Sequence, residues 1–176
     1  MACRHRTGRL EGGTMKEEHV SLRPACLADA DAIRTLTRAA YAKWVPVVGR
    51  EPRPMMADYH AAVERHAIDL LFAGATLAAL VEMIPAPDYL LIENLAVSPA
   101  FQGRGFGRRL LAHTEDQARV RGLGEMRLYT NRLFAENIRL YASAGYAIDH
   151  EETWAGGVIV HMRKPIRPTA TGDERP

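Results

Sequence analysis

The residues best suited to chemistry lie between Glu93 and Tyr141. Gln102-Gly103-Arg104-Gly105-Phe106-Gly107 places three glycines in five positions, with Arg108 and Arg109 directly after. Glycine lets the backbone come close to a ligand and turn its N–H groups towards it. From Gly107 the apolar spacing becomes helical, with Leu110, Leu111, Thr114 and Ala118 on one face. A helix starting there adds its unpaired first-turn N–H groups and the positive end of its dipole. Such a loop can hold a phosphate. The plainer alternative is a tight strand-to-helix turn with solvated arginines. Two common phosphate signatures fail. A dinucleotide fingerprint, G-x-G-x-x-G, meets Arg108 at its sixth position when read from Gly103 and Leu110 when read from Gly105, and G-x-x-x-x-G-K-[ST] is absent.

Two more side chains stand out from their surroundings. Glu93 interrupts the apolar run LLIENLAV. A carboxylate on a central strand costs free energy unless it has partners or reaches a wet cleft. It is therefore either a general base at such a cleft or a structural carboxylate bonded to neighbours such as Asn94. Tyr141 follows Asn137 by four residues, which puts both on one helix face. It is either an acid directed at a ligand or a core tyrosine with its hydroxyl satisfied by backbone.

Together these residues resemble the GNAT family of N-acetyltransferases. Gln102, Gly105 and Gly107 fit that family's acetyl-CoA motif, [Q/R]-x-x-G-x-[G/A]. Glu93-Asn94-Leu95-Ala96-Val97 with Pro99 is similar to its strand leading into the loop. Glu136-Asn137-Ile138-Arg139-Leu140-Tyr141, followed by Gly145-Tyr146, is similar to its late helix, one residue shorter than in some members. SLRPACLADADAI is similar to its first strand and helix, so the resemblance covers roughly residues 19–164. The resemblance implies acetyl-CoA as co-substrate, no metal, and transfer of acetyl to a primary amine of a small molecule or peptide. It implies Glu93 as base, directly or through water, and Tyr141 as the acid at the CoA sulfur. It implies that Asn137 bonds the cofactor and that the backbone of Leu95, Ala96 and Val97 pairs with the pantetheine arm. The pyrophosphate then falls to Gln102, Gly103, Arg104, Gly105, Gly107 and Arg108. Neither G-x-S-x-G nor a cysteine with a plausible histidine partner occurs. Direct attack in a ternary complex is thus expected rather than an acyl-enzyme. A non-catalytic acyl-CoA-binding module is the alternative, although it could dispense with both Glu93 and Tyr141.

The acceptor is less legible. Trp44, Met55 and Tyr59 belong to a stretch that covers the acceptor side in the resembling family, and core packing is the competing reading, for methionines above all. Tyr129 and Asn131 end the strand beside the cofactor strand, where the sheet should splay. His150 is expected on the sheet surface, and His60, Glu64 and His66 in solvent.

These groups need elements to position them. Hydrophobic patterning predicts strands at 19–24, 68–73, 76–84, 89–97, 125–130, 146–153 and 158–163. Helices are predicted at 29–41, 55–66, from 107, and at 134–144, with residues 42–54 as a loop. Hairpins join the early strands and helices separate the later ones. The fold class expected is α+β, a mixed sheet of about seven strands with about four helices, and 89–97, helix, 125–130 forms a parallel βαβ crossover. The resemblance gives that sheet the acyltransferase fold of the family. Residues 1–18 read as a disordered leader with Met15 as an alternative start, 19–164 as one domain, and 165–176 as a mobile tail.

Composition excludes several other classes. In 176 residues the apolar fraction is 47%, the charged fraction 25% and the net charge only +2. The basic residues are scattered or sit at the loop, so no nucleic-acid partner is expected. No 18-residue apolar stretch is present, so no membrane partner is expected either. The two cysteines, Cys3 and Cys26, have no C-x-x-C or metal-ligand spacing, which fits a reduced, cytoplasmic setting. Dimerisation is common in the resembling family, but the sequence itself carries no signal for a homodimer.

Overall fold

A seven-stranded sheet runs through the centre of the chain. The computed structural model describes residues 19–167. The leader, the alternative start at Met15 and the tail beyond residue 167 lie outside the described residues. The strands are β1 (Val20–Pro24), β2 (Ala67–Ala73), β3 (Thr76–Pro85), β4 (Tyr89–Val97), β5 (Glu125–Asn131), β6 (Ala147–Trp154) and β7 (Gly157–Pro165). Their spatial order is β1-β2-β3-β4-β5-β7-β6. Among the described residues only the β4–β5 pair is parallel, as the crossover through α5 (Phe106–Val120) requires. Pro165 ends β7, and Ile166 is buried with its N–H on the Gly124 carbonyl. Neither belongs to the tail expected from residue 165.

Each face of the sheet buries its own apolar cluster. Helix α5 sets Leu110, Leu111 and Ala118 against Val81, Met83, Ile92, Met126 and Leu128. On the opposite face α1 (Ala30–Tyr41) supplies Ile33, Leu36 and Ala40, and α4 (Tyr59–Arg65) supplies Tyr59 and Ala62. These pack on Ile68, Leu70, Leu80 and Ala96. Helix α6 (Ala135–Ser143) adds Tyr141 to the α5 side and ends at Gly145, whose φ of 91° glycine tolerates.

One predicted helix is divided. Residues 55–66 contain α4 and the end of a one-turn helix α3 (Arg53–Met56), separated by Ala57 in an extended conformation. Asp58 causes the break, because its carboxylate accepts from the N–H groups of His60 and Ala61 and so caps a new helix start. The predicted loop 42–54 likewise contains a short helix α2 (Val45–Val48), which stops at Gly49 with φ 72°. The described residues therefore form six α-helices rather than four, the two extra ones being single turns.

Candidate active site

The site is built where β4 and β5 part. Their parallel pairing ends at Ile92↔Leu128, although β4 continues to Val97 alongside β3. At the same level β4 carries a bulge. Met83 pairs with Ile92 and Glu82 with Asn94, leaving Glu93 without a partner on β3. The bulge also changes the facing. Leu90 and Ile92 pack on the α5 side, as do Leu95 and Val97 beyond it. Strict alternation would keep one parity on that side throughout. The extra residue turns both Glu93 and Asn94 to the α1 face, where both line the same cavity.

Asn94 is anchored there. Its Oδ1 accepts from the Tyr41 hydroxyl at 3.0 Å, and its Nδ2 donates to the Tyr59 hydroxyl at 3.1 Å. Tyr59 in turn donates to the Pro54 carbonyl at 2.8 Å. This network ties α1, α3 and α4 to the bulge. Glu93 faces less crowded surroundings, and its Oε1 accepts from the Tyr129 hydroxyl at 2.6 Å. Burial, followed by the bond to Glu93, raises the Tyr129 phenol well above its ordinary value, so Tyr129 is the donor in that bond.

Three contiguous cavities meet at this point. The first, about 430 Å³, is lined by Leu95, Ala96, Val97, Gln102, Gly103, Gly105, Gly107, Arg108 and Asn137, together with Lys43, Trp44 and Glu136. Apart from Arg104, this contains every residue expected to hold the cofactor. The Arg104 guanidinium lies over the Phe101 ring instead, 5.1 Å from its centroid. The second is a narrow passage of about 110 Å³, bounded by Glu93, Tyr129, Tyr141, Asn131 and Trp154 among others. It shares Tyr41, Leu95 and Asn137 with the first cavity. The third, about 430 Å³, opens between α3, α4 and the bulge and shares Glu93, Asn94, Tyr129 and Arg53 with the passage.

The glycine loop fits a phosphate group. Gly103 and Gly105 have φ of 77° and 82°, and a side chain added at either would meet no atom within 4 Å. The backbone is thus bent by glycine around open space at the start of α5. Gly107 differs, since an added Cβ would come within 3.2 Å of Leu140. It lets α5 and α6 approach each other. Across the mouth of this cavity Lys43 pairs with Glu136 at 2.5 Å, and Gln102 donates to the Val97 carbonyl at 3.1 Å.

Tyr141 is buried in the passage wall, and its hydroxyl makes no hydrogen bond among the described residues. Burial pushes its phenol up to about 12, further into the range where it is protonated at neutral pH. Among the described residues no group of His, Cys, Asp and Glu is arranged to hold a metal.

The acceptor-side expectations divide. Tyr59 and Tyr129 line the outer cavity, and Asn131 lines the passage, where its Oδ1 accepts from the Leu133 N–H at 2.9 Å. Trp44 lines neither the passage nor the third cavity. It stacks on Phe134 with centroids 4.4 Å apart and lines the first cavity. Met55 is buried and lines none of the three, whereas its exposed neighbour Met56 lines two of them. His66, expected in solvent, is partly buried and bonds Glu82. His150 is on the exposed surface of β6, stacked on His161 at 4.2 Å. Sequence reasoning missed Trp154, Arg53 and Glu82. Glu82 carried the very signal that singled out Glu93, a lone carboxylate in an apolar strand.

Comparison with known proteins decides the family. The acetyltransferase (GNAT) family model matches residues 31–146. This chain belongs to that family. Relatives include the mouse N-alpha-acetyltransferase 80, 37% identical over 71 residues, 40% of this chain and 21% of that protein. The [ribosomal protein bS18]-alanine N-acetyltransferase of Salmonella typhimurium is 34% identical over 63% of this chain and 68% of its own length. Streptothricin acetyltransferase of Streptomyces lavendulae is 40% identical over 33% of this chain and 31% of its own. The matches to the mouse and Streptomyces proteins thus span a third or less of those proteins. The fold of this GNAT chain is also that of solved structures. The ribosomal-protein-S18-alanine N-acetyltransferase of Escherichia coli superposes with a TM-score of 0.71 at 23% identity, over 90% of this chain and 99% of that one. An N-acetyltransferase of Thermoplasma acidophilum in complex with coenzyme A gives 0.71 at 18% identity, over 84% and 99%.

Proposed function

We propose that this GNAT chain transfers the acetyl group of acetyl-CoA to the α-amine of a peptide N-terminus by direct attack. The observation that carries this reading is the placement of Glu93 and Tyr141 on one narrow passage between the glycine-loop cavity and an outer cavity. A binding module would need the first cavity only. The α-amine is favoured because two of the relatives, the mouse and Salmonella enzymes, are named for acetylating such amines.

Gly103, Gly105, Gly107, Arg108 and the start of α5 would hold the pyrophosphate, and Leu95–Val97 and Asn137 would hold the pantetheine arm, since all line the first cavity. Bound acetyl-CoA supplies an activated thioester. The chain's own residues do the remaining work. Glu93, oriented by Tyr129, takes a proton from the acceptor ammonium and exposes the nitrogen lone pair. The Val97 N–H offers a donor where negative charge gathers on the acyl oxygen. Tyr141 gives its proton to the departing sulfur.

The test is a thermal-shift titration with acetyl-CoA, ATP and NADH, followed by CoA release with an alanyl hexapeptide and a set of small amines. A ligand at about 100 times its Kd should stabilise the fold by about 2.7 kcal/mol. Acetyl-CoA alone should do so, and the peptide should release CoA. Stabilisation without release from any amine would leave a binding module, and release from small amines alone would move the acceptor towards that of the streptothricin enzyme.

A further inference from the structure

A second carboxylate stands beside Glu93, and the reaction outlined above does not use it. Glu82 is 4% exposed on a strand that is otherwise apolar from Leu77 to Ile84. It pairs in register with Asn94, next to the bulge, and lines the outer cavity with Glu93 and Tyr129. Its Oε1 lies 2.5 Å from His66 Nδ1. The His66 side chain is 28% exposed and lines two openings. One is the outer cavity, and the other is a separate cavity of about 330 Å³ on the β1–β2 side, bounded by Arg23, Asp69 and His113. The Glu82–His66 pair therefore crosses the wall between the acceptor space and a second opening.

We infer that Glu82 and His66 carry the proton released by the acceptor amine out of the outer cavity. The inference rests on the reading of Glu93 as base. An N–H bond of the ammonium breaks and an O–H bond forms on Glu93. That proton passes through cavity solvent to Glu82, which restores the Glu93 carboxylate for the next cycle. Glu82 hands it to His66, and the resulting imidazolium gives one proton to solvent through the second opening. No electrons change hands, and one proton leaves per acetyl transferred.

The surroundings suit a group that gains and loses a proton. Burial raises Glu82 above the ordinary carboxylate range, His66 opposes that rise, and the charge of Glu93 adds to it. The other charged or titratable groups around the cavity are Tyr59 and Arg65 from α4, Asp58 before it, Arg53 from α3 and Tyr129 from β5. Tyr41 of α1 lies near enough to feel the Glu82 charge. Asp58 is held at the start of α4, and Tyr59 by Asn94 and Pro54. Among these, the Glu82–His66 pair is the one that connects two openings.

The experiment compares wild type, Glu93→Gln, Glu82→Gln and His66→Ala, using acetyl-CoA and the alanyl hexapeptide. Glu82→Gln and His66→Ala should each lower kcat roughly tenfold. KM for both substrates should stay within about twofold, and the pH–rate profile should lose its dependence on this pair. Added imidazole should restore much of the His66→Ala rate by filling the space at the second opening. His66 is partly exposed, so His66→Ala decides the matter should Glu82→Gln fail to fold. Unchanged kcat, a loss confined to KM, or no response to imidazole overturns the relay. If these occur while Glu93→Gln is still slow, the base assignment survives without the relay. If Glu93→Gln keeps full activity, both fall together.

Discussion

A carboxylate on a central strand becomes useful through the residue next to it. Asn94 takes the buried side of the bulge and satisfies itself with Tyr41 and Tyr59, so Glu93 is turned towards the passage, where among the described residues Tyr129 alone bonds its carboxylate. Glu93→Gln keeps the shape and removes the proposed base, and kcat should fall about a hundredfold or more with acetyl-CoA affinity unchanged. Tyr141→Phe should behave similarly in steady-state kinetics, since that phenol is protonated at neutral pH and among the described residues its hydroxyl is not spent on a structural bond. An equal loss in kcat and in acetyl-CoA affinity would show that Tyr141 only packs. Gly105→Val tests the cradle, because φ there is 82° and the space beside it is open. A branched side chain would strain the backbone and fill that space, so calorimetry should detect no acetyl-CoA binding while the fold persists. These residues were legible because their types are unusual for their positions. Trp44 and Met55 were not, since an apolar side chain gives the same signal whether it faces a ligand, another ring or the core.

At the scale of elements, pattern and punctuation account for the strands, and side-chain capping accounts for what pattern missed. The divided helix at 53–65 shows why. Apolar spacing continues across Ala57, while Asp58 restarts the hydrogen-bond ladder. The facing of β4 was hidden for a similar reason, because a bulge is a pairing between strands and leaves no mark on one strand alone. Helix α1 enters through another local device. Asp29 accepts from the Cys26 N–H at 2.8 Å and from both terminal nitrogens of Arg23, each at 2.8 Å. These bonds, those from Arg23 first, hold the Asp29 carboxyl far below its ordinary 3.8. The group is depressed on folding, so its contribution is complete above about pH 4 and fades as pH falls below that value. Asp29→Asn should therefore cost about 2 kcal/mol in urea denaturation at pH 7. The difference from wild type should shrink steadily as the titration is repeated below pH 4. A cost independent of pH would mean that shape, rather than charge, sets the entry of α1.

Across the whole molecule, the site depends on two distant parts of the chain meeting over the passage. The loop between α2 and α3 brings Arg50, the start of α3 brings Arg53, and the tip of the β6–β7 hairpin brings Trp154, more than a hundred residues later in sequence. Both guanidinium groups lie over the Trp154 ring, at 5.2 and 5.7 Å from its centroid. Contacts of this kind at exposed positions contribute about 0.5–1 kcal/mol each, and Trp154 remains 42% exposed. The wall is therefore closed but weakly held, which suits an entrance that must admit an acceptor. Removing the ring should loosen that wall without touching the glycine loop on the far side of the passage. Trp154→Ala should lower Tm by about 2–4 °C, the shift expected for about 1 kcal/mol in a domain of this size. It should raise KM for the alanyl peptide several-fold while acetyl-CoA affinity stays constant, and Trp154→Phe should recover part of both effects because a smaller ring still faces the arginines. A matching loss of acetyl-CoA affinity in Trp154→Ala would instead make the hairpin tip part of the cofactor side, and the order of the three cavities would have to be reversed.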